Sequence, residues 1–118
     1  MQDLSTLKIQ NIADPWDNAG EKWNLIDGAT VSDDRTLEAD VVIIGTGAGG
    51  GVSAEILSAA GLKVILVEAG RLTSSRDFNL NEGDAYRQLY QEGAMRATKD
   101  GAITILQGRT VGGTTVVN

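Results

Sequence analysis

Apolar positions along the chain gather into two short runs, DVVII from Asp40 to Ile44 and LKVILVE from Leu62 to Glu68. Runs of this kind, rich in β-branched residues, predict strands covered on both faces in a parallel sheet. Between them the pattern changes. Val52, Ile56 and Ala59 or Ala60 recur at spacings of three and four, which predicts a helix over 52–60 with one apolar face, and Gly61 is placed to stop it. Strand, glycine-rich bend, helix and second strand compose a βαβ unit, whose crossover is expected to be right-handed. The expected fold class is therefore α/β and Rossmann-like.

Beyond Gly70 the pattern is weaker. RLTSSRDFNLNEG reads as a polar loop with Phe78 and Leu80 as anchors. DAYRQLYQEG predicts a short helix with Asp84 as N-cap, Tyr86, Leu89 and Tyr90 on one side, and Gly93 past its end. The two tyrosines read as packing residues. A strand over 102–106 is expected after an Asp-Gly turn, and the chain closes on a second glycine-rich turn, GRTVGGTTVVN. Residues 1–37 are mixed and polar and read as an N-terminal arm, with Trp16 and Trp23 burying large apolar surfaces to anchor it. Residues 38–118 then form the domain proper.

Composition narrows the chemistry. The 118 residues contain no cysteine and no histidine, which removes thiolate catalysis, disulfides, the commonest general base and the commonest metal ligand. The net charge of −6, with scattered Lys and Arg, argues against nucleic acid as a partner. If the chain holds a phosphate, backbone N–H groups must do it. No apolar run approaches the roughly 20 residues of a membrane span, and the start lacks a basic stretch leading into an apolar one. Cytoplasmic residence is the expectation.

Gly45, Gly47 and Gly50 fit G-x-G-x-x-G between a strand and a helix, and Glu68 ends the next strand 18 residues after Gly50. Gly45 permits the tight turn, Gly47 lets a pyrophosphate approach the backbone, and Gly50 lets the helix lie close to the sheet. The helix start presents free N–H groups and its positive dipole end to the phosphates. Glu68 is expected to accept hydrogen bonds from the two hydroxyls of an adenosine ribose, and its charge disfavours a 2′-phosphate. These features leave FAD and NAD both open.

The terminal GRTVGGTTVVN resembles the G-R-x-x-G-G-[ST]-x-x-x-N segment that lies against the flavin in glucose-methanol-choline (GMC) oxidoreductases, and VVIIGTGAGGGVSAE with VILVEAG is similar to that family's FAD-binding start. Within the family, DGAITILQGRTVGGTTVVN looks most like the long-chain or fatty alcohol oxidase branch. The resemblance implies FAD as cofactor and an alcohol as substrate. It places Gly45, Gly47 and Gly50 on the pyrophosphate, Glu68 on the ribose, and Gly112, Gly113, Thr114 and Asn118 along the flavin and pyrophosphate. A Gly-Gly turn of this kind would expose backbone N–H groups, with Thr or Asn adding side-chain donors. Arg71 and Arg109, beside the two motifs, read as solvated or structural. The family's histidine base and substrate domain have no counterpart here, so no catalytic residue is expected in this chain. It is expected to be the N-terminal piece of a longer flavoprotein whose remainder is a second polypeptide. Two other readings stay open: an NAD-binding module of a dehydrogenase, and a non-catalytic nucleotide-binding or assembly fragment.

Overall fold

The computed structural model describes residues 24–74 and 76–117. Trp16, Trp23, most of the expected arm and Asn118 lie outside the described residues.

The centre of the fold is the expected βαβ unit. Strand β1, Val41–Ile44, leads through the glycine bend into helix α1, Ala48–Ala59, and the chain returns as β2, Val64–Val67. The strands pair in parallel, Val41 with Val64 through Ile44 with Val67. Both are shorter than the apolar runs, because the flanking residues serve other bonds. The Asp40 and Val41 amides both reach the Lys63 carbonyl, and the Asp40 carboxylate accepts from the Lys63 amide at 2.7 Å. Gly45 continues the ladder beyond the strand by donating its N–H to the Val67 carbonyl at 2.8 Å.

Helix α1 begins four residues earlier than expected, with Gly47 as N-cap, and ends before Gly61, whose φ of +88° suits the stop assigned to it. The face it turns inward also differs from expectation. Gly50, Ala54 and Leu57 are half-buried, while Val52 and Ile56, expected to face inward, are exposed. Gly50 decides this orientation. A Cβ there would sit 2.0 Å from the Gly45 carbonyl oxygen and 3.4 Å from Ile43 Cγ2, so the helix rests on the strand where the side chain is smallest.

Coverage on both faces of the sheet is not found among the described residues. Ile43 lies under α1, whereas Val42, Ile44 and Val67, which alternate to the opposite face, are exposed, Ile44 by 88%. One layer of helix on a two-stranded sheet can hide one face only.

The second helix, α2, spans Glu82–Leu89. Its N-cap is Asn81 rather than Asp84: the Asn81 side chain accepts from the Asp84 amide, which puts Asp84 inside the first turn, where its charge suits the helix dipole. Leu89 is the buried apolar residue of this region. Tyr86 and Tyr90 meet edge to face with ring centroids 5.4 Å apart, and the Tyr86 hydroxyl donates to Glu82 Oε1. Gly93, at φ +61°, falls in a following 3₁₀ turn, Gln91–Ala94.

The strand expected over 102–106 does not form. The Asp-Gly turn is present, with Gly101 at φ +70°, but it closes only an irregular hairpin through the Thr98 amide to the Ile103 carbonyl and the Ile105 amide to the Arg96 carbonyl. A single bridge, Ala97 with Thr104, stands where a ladder was expected. Ile103, Ile105 and Leu106 remain exposed, so no buried face holds a register.

Candidate functional site

Two glycine turns, far apart in sequence, meet at one place. The first follows β1, where Gly45 adopts φ +92°, a left-handed conformation that L side chains resist. The direction a Cβ would take at Gly47 is open, with nothing within 4 Å, and Gly47 offers no side-chain cap to the first-turn amides of α1. Those amides have no carbonyl partner within the helix. The result is an uncapped helix start behind an unobstructed glycine, an arrangement suited to an anion.

The second turn is Gly112–Gly113, at φ +95° and +63°, leading into a 3₁₀ turn over Gly113–Val116. A Cβ at Gly113 would lie 2.8 Å from Gly47 Cα, so the two turns touch backbone to backbone. The amides expected to be exposed here are engaged within the protein: Gly112 donates to Thr46 Oγ1 at 3.0 Å and Gly113 to the Thr110 carbonyl at 2.8 Å. The turn is held closed by the groups its sequence seemed to leave free. Thr114 Oγ1 accepts from the Gly108 amide at 3.0 Å, which leaves the hydroxyl proton to donate elsewhere.

Glu68, just past the end of β2, faces the first turn. Its Oε2 accepts from both the Thr46 amide, at 2.8 Å, and the Thr46 hydroxyl, at 2.7 Å, and its Oε1 accepts from the Gly70 amide at 2.8 Å. Partial burial pushes this carboxyl up, but the Gly70 amide, the Thr46 hydroxyl and amide and the Ala69 amide together hold it below its ordinary value. It is therefore an ionised acceptor, with most of its lone-pair directions already filled from inside the chain.

Residues that the sequence reading passed over join the turns. Gly70 lies against the backbone of Arg109 and Thr110, where a Cβ would come within 2.3 Å of the Thr110 nitrogen. Beside it Arg71 pairs with Thr110 as a parallel bridge, Val111 donates to the Arg71 carbonyl, and so does the Thr110 hydroxyl at 2.9 Å. Thr110 is fully buried. Arg71 and Arg109 are exposed, as expected for solvated residues. A glycine two positions after Glu68 was a signal open to notice, since a strand end followed at once by glycine permits a close crossing. Nothing local marked Thr110. Thus Gly50, Glu68, Gly112 and Gly113 converge on the bend formed by Gly45, Thr46 and Gly47, Thr114 lies on the adjoining turn, and Asn118 is outside the described residues.

Residues 86–118 match the GMC oxidoreductase family model. Two long-chain-alcohol oxidases of Arabidopsis thaliana are similar to the chain, one 38% identical over 96 residues and one 39% identical over 92, each match covering 77% of this chain and 13% of the relative. An uncharacterized GMC-type oxidoreductase of Mycobacterium tuberculosis is 44% identical over 82 residues, covering 68% of this chain and 13% of the relative. No solved structure matches the chain significantly.

The chain is similar to the GMC oxidoreductases, and its similarity runs to relatives named as alcohol oxidases. It spans about an eighth of the length of these curated relatives.

Proposed function

We propose that these residues form the Rossmann-like FAD-binding start of a GMC-type enzyme that oxidises an alcohol, with a long-chain alcohol as the substrate class suggested by the names of its relatives. The observation that carries this reading is the contact of the two glycine turns, Gly47 against Gly113, with an ionised Glu68 beside them.

The residues fit the cofactor. A Cβ at position 47 would fill the open space in front of the α1 amides, which is where a pyrophosphate would lie. Gly45 and Gly50 shape that bend, and the remaining acceptor capacity of Glu68 would take a ribose hydroxyl. Gly112 and Gly113 would offer a flat backbone surface to the cofactor, Thr114 the proton of its hydroxyl and Asn118 its amide. Bound there, FAD would supply the acceptor for a hydride leaving the alcohol carbon. The protein's part in this chain is to bind and orient. With no histidine present, the base that takes the hydroxyl proton would come from the remainder of the protein, as would the substrate pocket.

An absorption spectrum of the purified full-length protein, followed by addition of a long-chain alcohol without acceptor, tests the proposal. Flavin bands that bleach on addition are expected. Colourless protein that binds NAD would favour a dehydrogenase module, and flavin bands that no alcohol bleaches would favour a non-catalytic role.

A further inference from the structure

Thr46 occupies the position between Gly45 and Gly47 that the glycine pattern leaves unspecified, yet its side chain touches both halves of the site. Its Oγ1 lies 2.7 Å from Glu68 Oε2 and 3.0 Å from the Gly112 nitrogen. The chemistry of the partners fixes the directions. The Gly112 amide can only donate, so the hydroxyl accepts there and gives its single proton to the carboxylate. The Thr46 amide donates to the same Oε2 at 2.8 Å. Rotation of the Glu68 carboxylate would break both donations, and withdrawal of the Gly112 turn would strand a half-buried N–H group.

We infer that Thr46 is a positioning residue for the cofactor: its hydroxyl ties the acidic side chain at the end of β2 to the second glycine turn, presetting the two surfaces between which the dinucleotide would bind. The inference rests on the FAD reading and extends it to a residue that would act through Glu68 and Gly112. Its distinguishing requirement is one atom that both accepts and donates. Serine meets that requirement with a smaller side chain, and valine keeps the shape of threonine without it.

The test uses the full-length protein stripped of flavin, as wild type, Thr46→Val, Thr46→Ser, Glu68→Gln and the Thr46→Val/Glu68→Gln double variant. FAD affinity is read by fluorescence titration, and hydrogen exchange at the Gly112 amide is read before FAD is added. Thr46→Val is expected to weaken FAD binding about tenfold, the cost of one unmade hydrogen bond to a charged group, and to speed exchange at Gly112. Thr46→Ser is expected to stay near wild type in both. The double variant should lose less affinity than the product of the two single losses, because both substitutions cut the same connection. A purely space-filling residue predicts the reverse order, with Val silent and Ser the weaker binder. Wild-type affinity in Thr46→Val with the Gly112 amide still protected, or Thr46→Ser no better than Thr46→Val, overturns the inference. Where Thr46→Val does not accumulate as folded protein, Thr46→Ala, which also can neither accept nor donate there, takes its place with the same expectations, Thr46→Ser being the control for lost volume. Wild-type protein that binds no FAD overturns the cofactor reading, and this inference with it; wild type that binds FAD alongside an equally competent Thr46→Val overturns the inference alone.

Discussion

Gly113 lies against Gly47, close enough that a single added carbon at position 113 would stand 2.8 Å from Gly47 Cα. The contact joins the bend after β1 to a turn 66 residues later, and it depends on Gly113 having no side chain, since the direction a Cβ would take at Gly47 is open. Alanine at position 113 would meet this clash and also a φ of +63°, which by itself costs about 1–2 kcal/mol for an L side chain. Gly113→Ala is expected to lower stability by at least about 2 kcal/mol and to reduce FAD occupancy, checked by urea unfolding and by flavin content after gel filtration.

Gly50 and Gly51 are neighbours on α1 with opposite expectations. A Cβ at Gly50 would strike the Gly45 carbonyl oxygen at 2.0 Å, whereas at Gly51 the nearest atom is the Thr46 carbonyl oxygen at 3.9 Å. Gly50→Ala should therefore cost about 1–3 kcal/mol by forcing the helix off the strand. Gly51→Ala should stabilise by up to about 1 kcal/mol through helix propensity. Thermal unfolding of the two variants side by side separates close packing from a general intolerance of substitution in this bend.

The Glu68 carboxyl is held below its ordinary value of 4.5 in the folded protein, so the folded state binds its proton more weakly than the unfolded chain does. The stabilisation is complete above about pH 4.5 and is lost as pH falls through the lower folded value. Glu68→Gln should flatten this part of the acid limb in a pH series of unfolding midpoints. Glu68→Ala should in addition weaken FAD binding by about 1–3 kcal/mol, and unchanged affinity would count against its place at the ribose.

Ile44 is 88% exposed on the uncovered face of the sheet. If the rest of a larger flavoprotein packs on that face, Ile44→Ser should destabilise the full-length protein by at least about 2 kcal/mol, a cost typical of truncating a buried aliphatic side chain. An unchanged melting temperature would mean that this face stays in water.

The order strand, glycine bend, helix, strand was legible because each element is written locally: β-branched runs for β1 and β2, Gly45 for the turn, Gly61 for the stop. The same local signals misjudged the inner face of α1. Val52 and Ile56 carry the helical apolar spacing, but Gly50 permits the closest approach to the strand, and backbone proximity turned Gly50, Ala54 and Leu57 inward instead. The run after the Asp-Gly turn failed as a strand because a strand is defined by its partner, and Ala97 with Thr104 supplies only one bridge.

The residue types that can surround a dinucleotide, three spaced glycines and a glutamate, were determined by the sequence, since each acts through its own backbone freedom or charge. That Gly112 and Gly113 spend their amides on Thr46 and Thr110, and that Glu68 is filled from within by Thr46 and Gly70, was decided by tertiary structure. Hydrogen bonds between distant segments depend on how the loops close, and no spacing along the chain encodes which donor finds which acceptor.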